Sequence, residues 1–113
     1  MKLEFEKKMH IAGDLLSYCH MKGADEFHID MSSANGVTVF KIKASPADIS
    51  AEETEQLIEM LNMPRDKELE NDYWTLAGES ENFTELALVG AMTDSADMEY
   101  SDKVLTITLK RLY

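Results

Sequence analysis

The chain has few of the residues that mark the specialised classes of small protein. Its 113 residues include one cysteine, two prolines, five glycines and one tryptophan. A single cysteine, Cys19, excludes a disulfide framework and favours a cytoplasmic protein. No apolar run approaches the roughly 20 residues of a membrane-spanning helix, and the charged N-terminus lacks the apolar block of a secretory signal. The length predicts one domain over residues 1–113.

Basic residues are scarce in the middle of the chain. Residues 45–102 carry two basic and sixteen acidic side chains, and they set the sign of the net charge, −11. Nucleic-acid binding depends on neutralising phosphates, so we predict no nucleic-acid partner. The acidity also disfavours a polyanion such as ATP unless Mg²⁺ or a local basic group compensates. We interpret it first as a solvated surface and second as a docking face for a basic protein.

Motifs for catalysis and metal binding are also missing. The sequence has no G-x-S-x-G, Walker-type or G-x-G-x-x-G string. His10 and His20 lie on one predicted helix, about 80° apart around its axis and about 15 Å apart along it, so they cannot share a metal. Cys19 lies in an apolar stripe near the end of that helix, where the dipole opposes a thiolate. We predict no metal, no cofactor and no catalytic residue.

Hydrophobic periodicity predicts a helix and then a hairpin in the first half of the chain. Apolar residues at helical spacing indicate a helix over residues 4–22, with Gly23 as its stop. Alternation over residues 26–31 predicts a half-buried strand, and Asn35-Gly36 predicts a tight turn into a second strand, 37–43. Three apolar side chains share one face of the first strand: Phe27, Ile29 and Met31.

The second half of the chain predicts further helices and a closing strand. Ser50 and Glu53 have the spacing of a capping box for a helix that ends before Pro64. Asn82–Glu85 repeats that spacing, and residues 104–109 alternate as a strand, preceded by a short one. The prediction is an α+β fold. It is a two-layer α/β sandwich, with a mixed, mainly antiparallel sheet covered on one face by helices.

This order of elements resembles the histidine-kinase-type ATPase domain, the GHKL or Bergerat fold, and especially its small anti-sigma-factor kinases. The stretch DLLSYCHMKGA resembles the helix whose asparagine binds Mg²⁺-ATP in that family, with Ser17 in place of the asparagine. The stretch VFKIKASPADIS resembles the strand and loop that hold the adenine. Ala44 stands there for the adenine-binding aspartate, and Pro46 and Asp48 stand for glycines.

The last helix of the family begins with glycines wrapped around the phosphates, and NFTELALVGAM resembles it. Phe83 and Glu85 occupy glycine positions. Their side chains lie where the backbone must approach phosphate closely, and Glu85 adds a negative charge at the helix N-terminus. The resemblance therefore implies the family's fold without its ATP site.

Our first hypothesis is a degenerate, non-catalytic domain that binds a protein partner or regulates one. The resemblance places Tyr73 and Trp74 in the family's mobile lid, and we expect a contact surface there because aromatic side chains favour interfaces.

Two alternatives stay open. One is an atypical ATP-binding kinase or ATPase, with Mg²⁺-ATP in the same cleft and Asp48 and Glu85 on the metal. The other is an unrelated small α/β homodimer that pairs an edge strand, 37–43 or 104–109, across a two-fold axis.

Overall fold

The computed structural model describes residues 2–63, 65–68, 70 and 85–113, with side chains except those of residues 2 and 85–88. The main helices and strands are α1, Lys2–Met21; β1, Glu26–Ala34; β2, Val37–Ser45; α2, Ala51–Leu61; α3, Glu85–Met92; β3, Ser95–Ser101; and β4, Val104–Leu112. The strands form one sheet in the order β1-β2-β4-β3. The predicted α+β fold is confirmed, but all three neighbouring pairs are antiparallel, so the described sheet is not mixed.

The core lies between the helices and one face of the two inner strands. Alternate residues of β2 and β4 are fully buried: Phe40, Ile42, Ala44, Leu105, Ile107 and Leu109. The helices add Ile11, Leu15, Cys19, Leu57, Leu61, Val89 and Met92 to the same cluster. The lysines between the buried strand residues, Lys41, Lys43 and Lys110, are exposed. Each large apolar side chain buried here contributes roughly 1.5–3 kcal/mol, and the helices cover one face as predicted.

Two predicted helix ends are confirmed by their hydrogen bonds. The Ser50 hydroxyl accepts from the Glu53 amide at 3.1 Å, and the Glu53 carboxylate accepts from the Ser50 amide at 3.0 Å. This capping box satisfies two amides at the start of α2. At the end of α1, Gly23 has φ +97°, its amide bonds the His20 carbonyl, and the Ala24 amide bonds the Cys19 carbonyl. This is the Schellman motif that glycine favours.

Both hairpins close with two residues in the left-handed region. Asn35 and Gly36 have φ values of 54° and 78°, as the sequence predicts. Asp102 and Lys103 form the second turn with φ values of 53° and 65°. That turn has no glycine; the sequence predicts it at Ser101-Asp102, one residue early. The strand before it is longer than predicted, Ser95–Ser101.

Two expectations about the strands are wrong. The strands over 37–43 and 104–109 are the inner strands β2 and β4, each with a neighbour on both sides, so neither offers a free edge. The strand β1 is not half-buried, because all nine of its residues are exposed. The edge position explains this: β1 has one neighbour in the sheet, and its core-side face extends past the helix layer.

None of the helices in the described ranges combines the length and apolar composition that crossing a bilayer requires. The predicted cap at Asn82 lies outside the described residues.

The helices α2 and α3 cross in close contact at Gly90. A Cβ atom added to Gly90 would lie 2.3 Å from the backbone oxygen of Met60 and 3.4 Å from its carbonyl carbon. Since that oxygen belongs to a helix backbone, it cannot move aside as a flexible side chain would. The glycine therefore sets the distance between the two helices.

We predict that Gly90→Ala destabilises the fold by about 1–3 kcal/mol, because the backbones of α2 and α3 must separate. The matched control is Gly13→Ala in α1, where a Cβ meets nothing within 4 Å. Gly13→Ala should stabilise the fold by up to about 1 kcal/mol through helix propensity. Chemical denaturation of both variants measures the difference, and equal effects would show that the close approach does not matter.

Candidate functional site

Among the described residues, β1 is an edge strand of the sheet and no strand pairs with its outer side. It pairs with β2 without interruption from Glu26 opposite Ser45 to Ala34 opposite Val37, so it has no bulge. It also contains no lysine and no proline. Bulges, lysine and proline are three of the features by which natural proteins stop edge strands from pairing with other chains. Within the described part of the chain, the outer edge of β1 is therefore open to another strand.

The apolar side chains of β1 are on the core side of the sheet but are not covered. Phe27, Ile29 and Met31 are 37%, 42% and 36% exposed. They lie opposite Ala44, Ile42 and Phe40 of β2, each of which is fully buried. The buried layer thus ends abruptly between β2 and β1.

The helix α1 carries further exposed apolar residues on the flank towards β1. Lys7 bonds Glu70 on one side of the helix, and Lys8 bonds the Ser33 hydroxyl of β1 at 3.1 Å on the other. An α-helix turns by about 100° per residue. Phe5 and Met9 therefore lie about 60° and 100° further round the helix axis than Lys8, in the direction of β1. Their exposed fractions are 55% and 48%.

We refer to these five side chains together as the β1 surface: Phe5, Met9, Phe27, Ile29 and Met31. Single exposed apolar residues are ordinary, but several on one side of a small domain, next to an open strand edge, mark an interaction site.

The opposite edge of the sheet is capped at Ala96. The Asn62 side chain accepts from the Ala96 amide and donates to the Ala96 carbonyl, both at 3.1 Å. At this residue the asparagine amide thus occupies the place of a neighbouring strand. Asp97 and Glu99 add negative charge to the outer face of β3, which disfavours pairing further.

A buried ion network fixes α1 over the sheet. Arg111, on β4, is 2% exposed. Its Nε and Nη2 donate to the two oxygens of Glu4 at 2.8 and 2.9 Å, and its Nη1 and Nη2 donate to the two oxygens of Glu70 at 3.1 and 2.9 Å. Nη1 also donates to the Met92 carbonyl at 2.6 Å. Lys7 Nζ donates to Glu70 at 2.8 Å. The network connects the first turns of α1 to β4 and to the end of α3.

The network keeps its groups ionised. Burial by itself would raise the pKa of Glu70, but hydrogen bonds from Arg111 and Lys7 outweigh it and lower that pKa to about 2. The hydrogen bond from Arg111 likewise lowers the pKa of Glu4. Burial opposes the charge of Arg111, yet Glu4 and Glu70 raise its pKa above the usual value. These groups stabilise the fold and leave no free group for chemistry.

The positions that the resemblance assigns to nucleotide binding do not form one accessible site among the described residues. Ala44 is fully buried within the core cluster, whereas Ser17 is exposed on α1. Pro46 and Asp48 are exposed in the loop after β2, where the Asp48 amide donates to the Lys22 carbonyl at 2.9 Å. Glu85 begins the described part of α3, and its side chain is not described. Phe83, Tyr73 and Trp74 lie outside the described residues.

The remaining features of the described residues do not favour catalysis. A cavity of about 170 Å³ between α1 and α2 is smaller than ordinary ligand sites, which hold about 300–1,000 Å³. Burial raises the pKa of the Cys19 thiol to about 11, so the thiol stays protonated at neutral pH. No group of three or more His, Cys, Asp or Glu side chains in this part of the chain is arranged to hold a metal.

The helix-free face of the sheet carries residues of both charges in rows across the strands. One row crosses all four strands as Asp30, Lys41, Thr108 and Asp97. The next row reads His28, Lys43, Thr106 and Glu99. A shallow hollow of about 370 Å³ on this face is lined by residues of both rows. Because each row contains one lysine and at least one acid, the face presents no single sign of charge to a ligand.

Sequence reasoning missed the β1 surface because the alternation of Phe27, Ile29 and Met31 predicts burial equally well for an edge and an inner strand. One signal was present: the predicted strand has neither lysine nor proline. A scan against protein-family models and a search of curated proteins both find no match to this chain.

The pKa of Glu70 gives a prediction about acid stability. Its pKa is lower in the folded chain than the ordinary 4.5, so its contribution is present above pH 4.5 and is lost as the pH falls towards 2. We predict that Glu70→Gln removes up to about 3 kcal/mol of stability at pH 7 and flattens the decline of stability between about pH 5 and 2.

The control is Glu53→Gln at the half-exposed pair with Lys22, where solvent screens the interaction and the change should be much smaller. Urea denaturation across this pH range provides the measurement. A Glu70→Gln profile parallel to that of the unchanged chain would contradict the role of the network.

Proposed function

We propose that this chain is a non-catalytic protein-binding domain with a regulatory role. In this proposal it has a histidine-kinase-like ATPase fold that has lost its ATP-binding motifs. The observation that carries the proposal is the β1 surface, an open strand edge next to exposed apolar side chains.

Backbone and side chains at the β1 surface both support protein binding. A free strand edge offers N–H and C=O groups that an extended segment of protein can pair with, and neighbouring apolar side chains add affinity and specificity. Phe27, Ile29 and Met31 present such side chains in line along β1, each more than one-third exposed. A small-molecule site would instead be concave and would surround its ligand.

Two observations support the degenerate ATPase fold. The described elements follow in the order that the resemblance implies: a helix, two strands, helices and two closing strands. The residue in place of the adenine-binding aspartate, Ala44, is fully buried in the core and offers no acceptor. Protein binding through the β1 surface, outside the former nucleotide cleft, does not need an adenine-binding aspartate.

We predict that Mg²⁺-ATP does not bind in the micromolar range. Calorimetric titration should show no saturation below about 1 mM, and the melting temperature should not rise with ATP. Micromolar binding, or a shift of several degrees, would instead favour the atypical ATPase alternative.

We also predict that substitution at the β1 surface removes protein binding. The tagged chain and its Ile29→Lys variant are used to capture proteins from cells that express the chain, with Met63→Lys as the matched control. Met63 is 49% exposed and follows α2, away from the β1 surface. A protein retained by the unchanged chain and by Met63→Lys should be lost with Ile29→Lys. Equal retention by all three would refute the role of this surface.

A further inference from the structure

The direction of backbone groups along β1 follows from its hairpin. In a two-residue hairpin the residues that flank the turn, Ala34 and Val37, exchange hydrogen bonds, and every second residue repeats the pattern. The even-numbered residues of β1 therefore bond β2. The odd-numbered residues Phe27, Ile29 and Met31 direct their N–H and C=O groups to the open edge. The apolar residues of β1 are thus also the ones whose backbone groups are free to pair.

The strand is complementary to a reversed copy of itself. With a two-fold axis at Ile29, Phe27 lies opposite Met31 of the second copy, and Ile29 lies opposite Ile29. The three pairs Phe27–Met31, Ile29–Ile29 and Met31–Phe27 are hydrogen-bonded pairs, and their side chains lie on the core-side face. An isologous contact requires such self-complementarity, and each apolar residue of the strand finds an apolar partner.

The opposite face fits the same register. His28 lies opposite Asp30 of the second copy in a non-hydrogen-bonded pair, where side chains approach most closely. An imidazole N–H can donate to a carboxylate at this position. Within the chain, Asp30 lies opposite Lys41, so each Asp30 has Lys41 on one side and His28 of the second copy on the other.

Neighbouring registers lose this match. An axis at Asp30 places the two Asp30 carboxylates against each other, and an axis at His28 places Glu26 opposite Asp30. Like charges directly opposite destabilise a strand pair. An axis at Phe27 or Met31 leaves part of the apolar row without an apolar partner. The register centred on Ile29 satisfies both faces.

Resting on the protein-binding function proposed above, we infer that the partner of the β1 surface is a second copy of this chain. The two β1 strands pair antiparallel about a two-fold axis at Ile29 and join two four-stranded sheets into one of eight strands. Phe5 and Met9, on the flank of α1 towards β1, lie on the same side of the domain as this contact.

The first experiment measures mass by sedimentation at concentrations between about 1 and 500 µM, where a reversible dimer changes its population. The unchanged chain should sediment as a dimer that dissociates on dilution. Ile29→Lys places two ammonium groups at the axis and should weaken association at least about 100-fold. Met63→Lys adds the same charge elsewhere and should leave the association unchanged. Matching melting curves of the two variants confirm that both fold.

The second experiment tests the register with single cysteine substitutions. A hydrogen-bonded antiparallel pair separates Cα atoms by about 5.5 Å, within the range of a disulfide. Ile29→Cys should therefore form an intermolecular disulfide readily under mild oxidation. Met31→Cys lies on the same face with similar exposure, 36% against 42%. In this register Met31 of one copy lies four residues, about 13 Å, from Met31 of the other. Met31→Cys should therefore not form the disulfide. Cys19 is fully buried and does not compete.

Three results would overturn the inference: a monomer at every concentration, a dimer that Ile29→Lys leaves intact, or cross-linking of Met31→Cys as fast as Ile29→Cys. They can be told apart from failure of the proposed function. A monomeric chain that still loses a captured protein with Ile29→Lys binds an unlike partner at the same surface. Micromolar ATP binding bears on the non-catalytic function and not on the dimer.

Discussion

The position of α1 depends on the buried guanidinium of Arg111. An unpaired charge in this place would be costly, since desolvation opposes it by several kcal/mol. Glu4, Glu70 and the Met92 carbonyl accept its hydrogen bonds and join α1, residue 70, the end of α3 and strand β4. Because these partners converge on Arg111 from different parts of the chain, α1 is held towards β4 and α3.

The two edges of the sheet differ. Near β3, Asn62 at the end of α2 satisfies both backbone groups of Ala96, so a side chain caps that edge at this residue. At β1, Lys8 reaches across to Ser33, but the apolar residues from Phe27 to Met31 stay more than one-third exposed. The asymmetry gives the domain one surface suited to pairing with protein.

Local features were predictable from the sequence because residues close in the chain determine them. The Ser50–Glu53 capping box, the Gly23 stop and the Asn35-Gly36 turn each depend on residues within a few positions. The order of strands was not predictable in this way, because alternation is the same in inner and edge strands. The roles of Arg111 and Gly90 depend on partners far away in the sequence, at Glu4 and Met60. The β1 surface was missed because alternation does not show which strand lies at the edge of the sheet.

An open edge carries a risk of indefinite association, and the structure limits it in two ways. The carboxylates of Glu26 and Asp30 favour one register over its neighbours, since axes at Asp30 or His28 place carboxylates directly opposite each other. At the far side of the sheet, the Asn62 amide occupies the backbone groups of Ala96, and Asp97 and Glu99 add negative charge, so a further strand is disfavoured there. The two-fold contact uses the open edge of both copies, so this contact closes after two copies. The Asn62 cap on β3 therefore limits association beyond the proposed dimer.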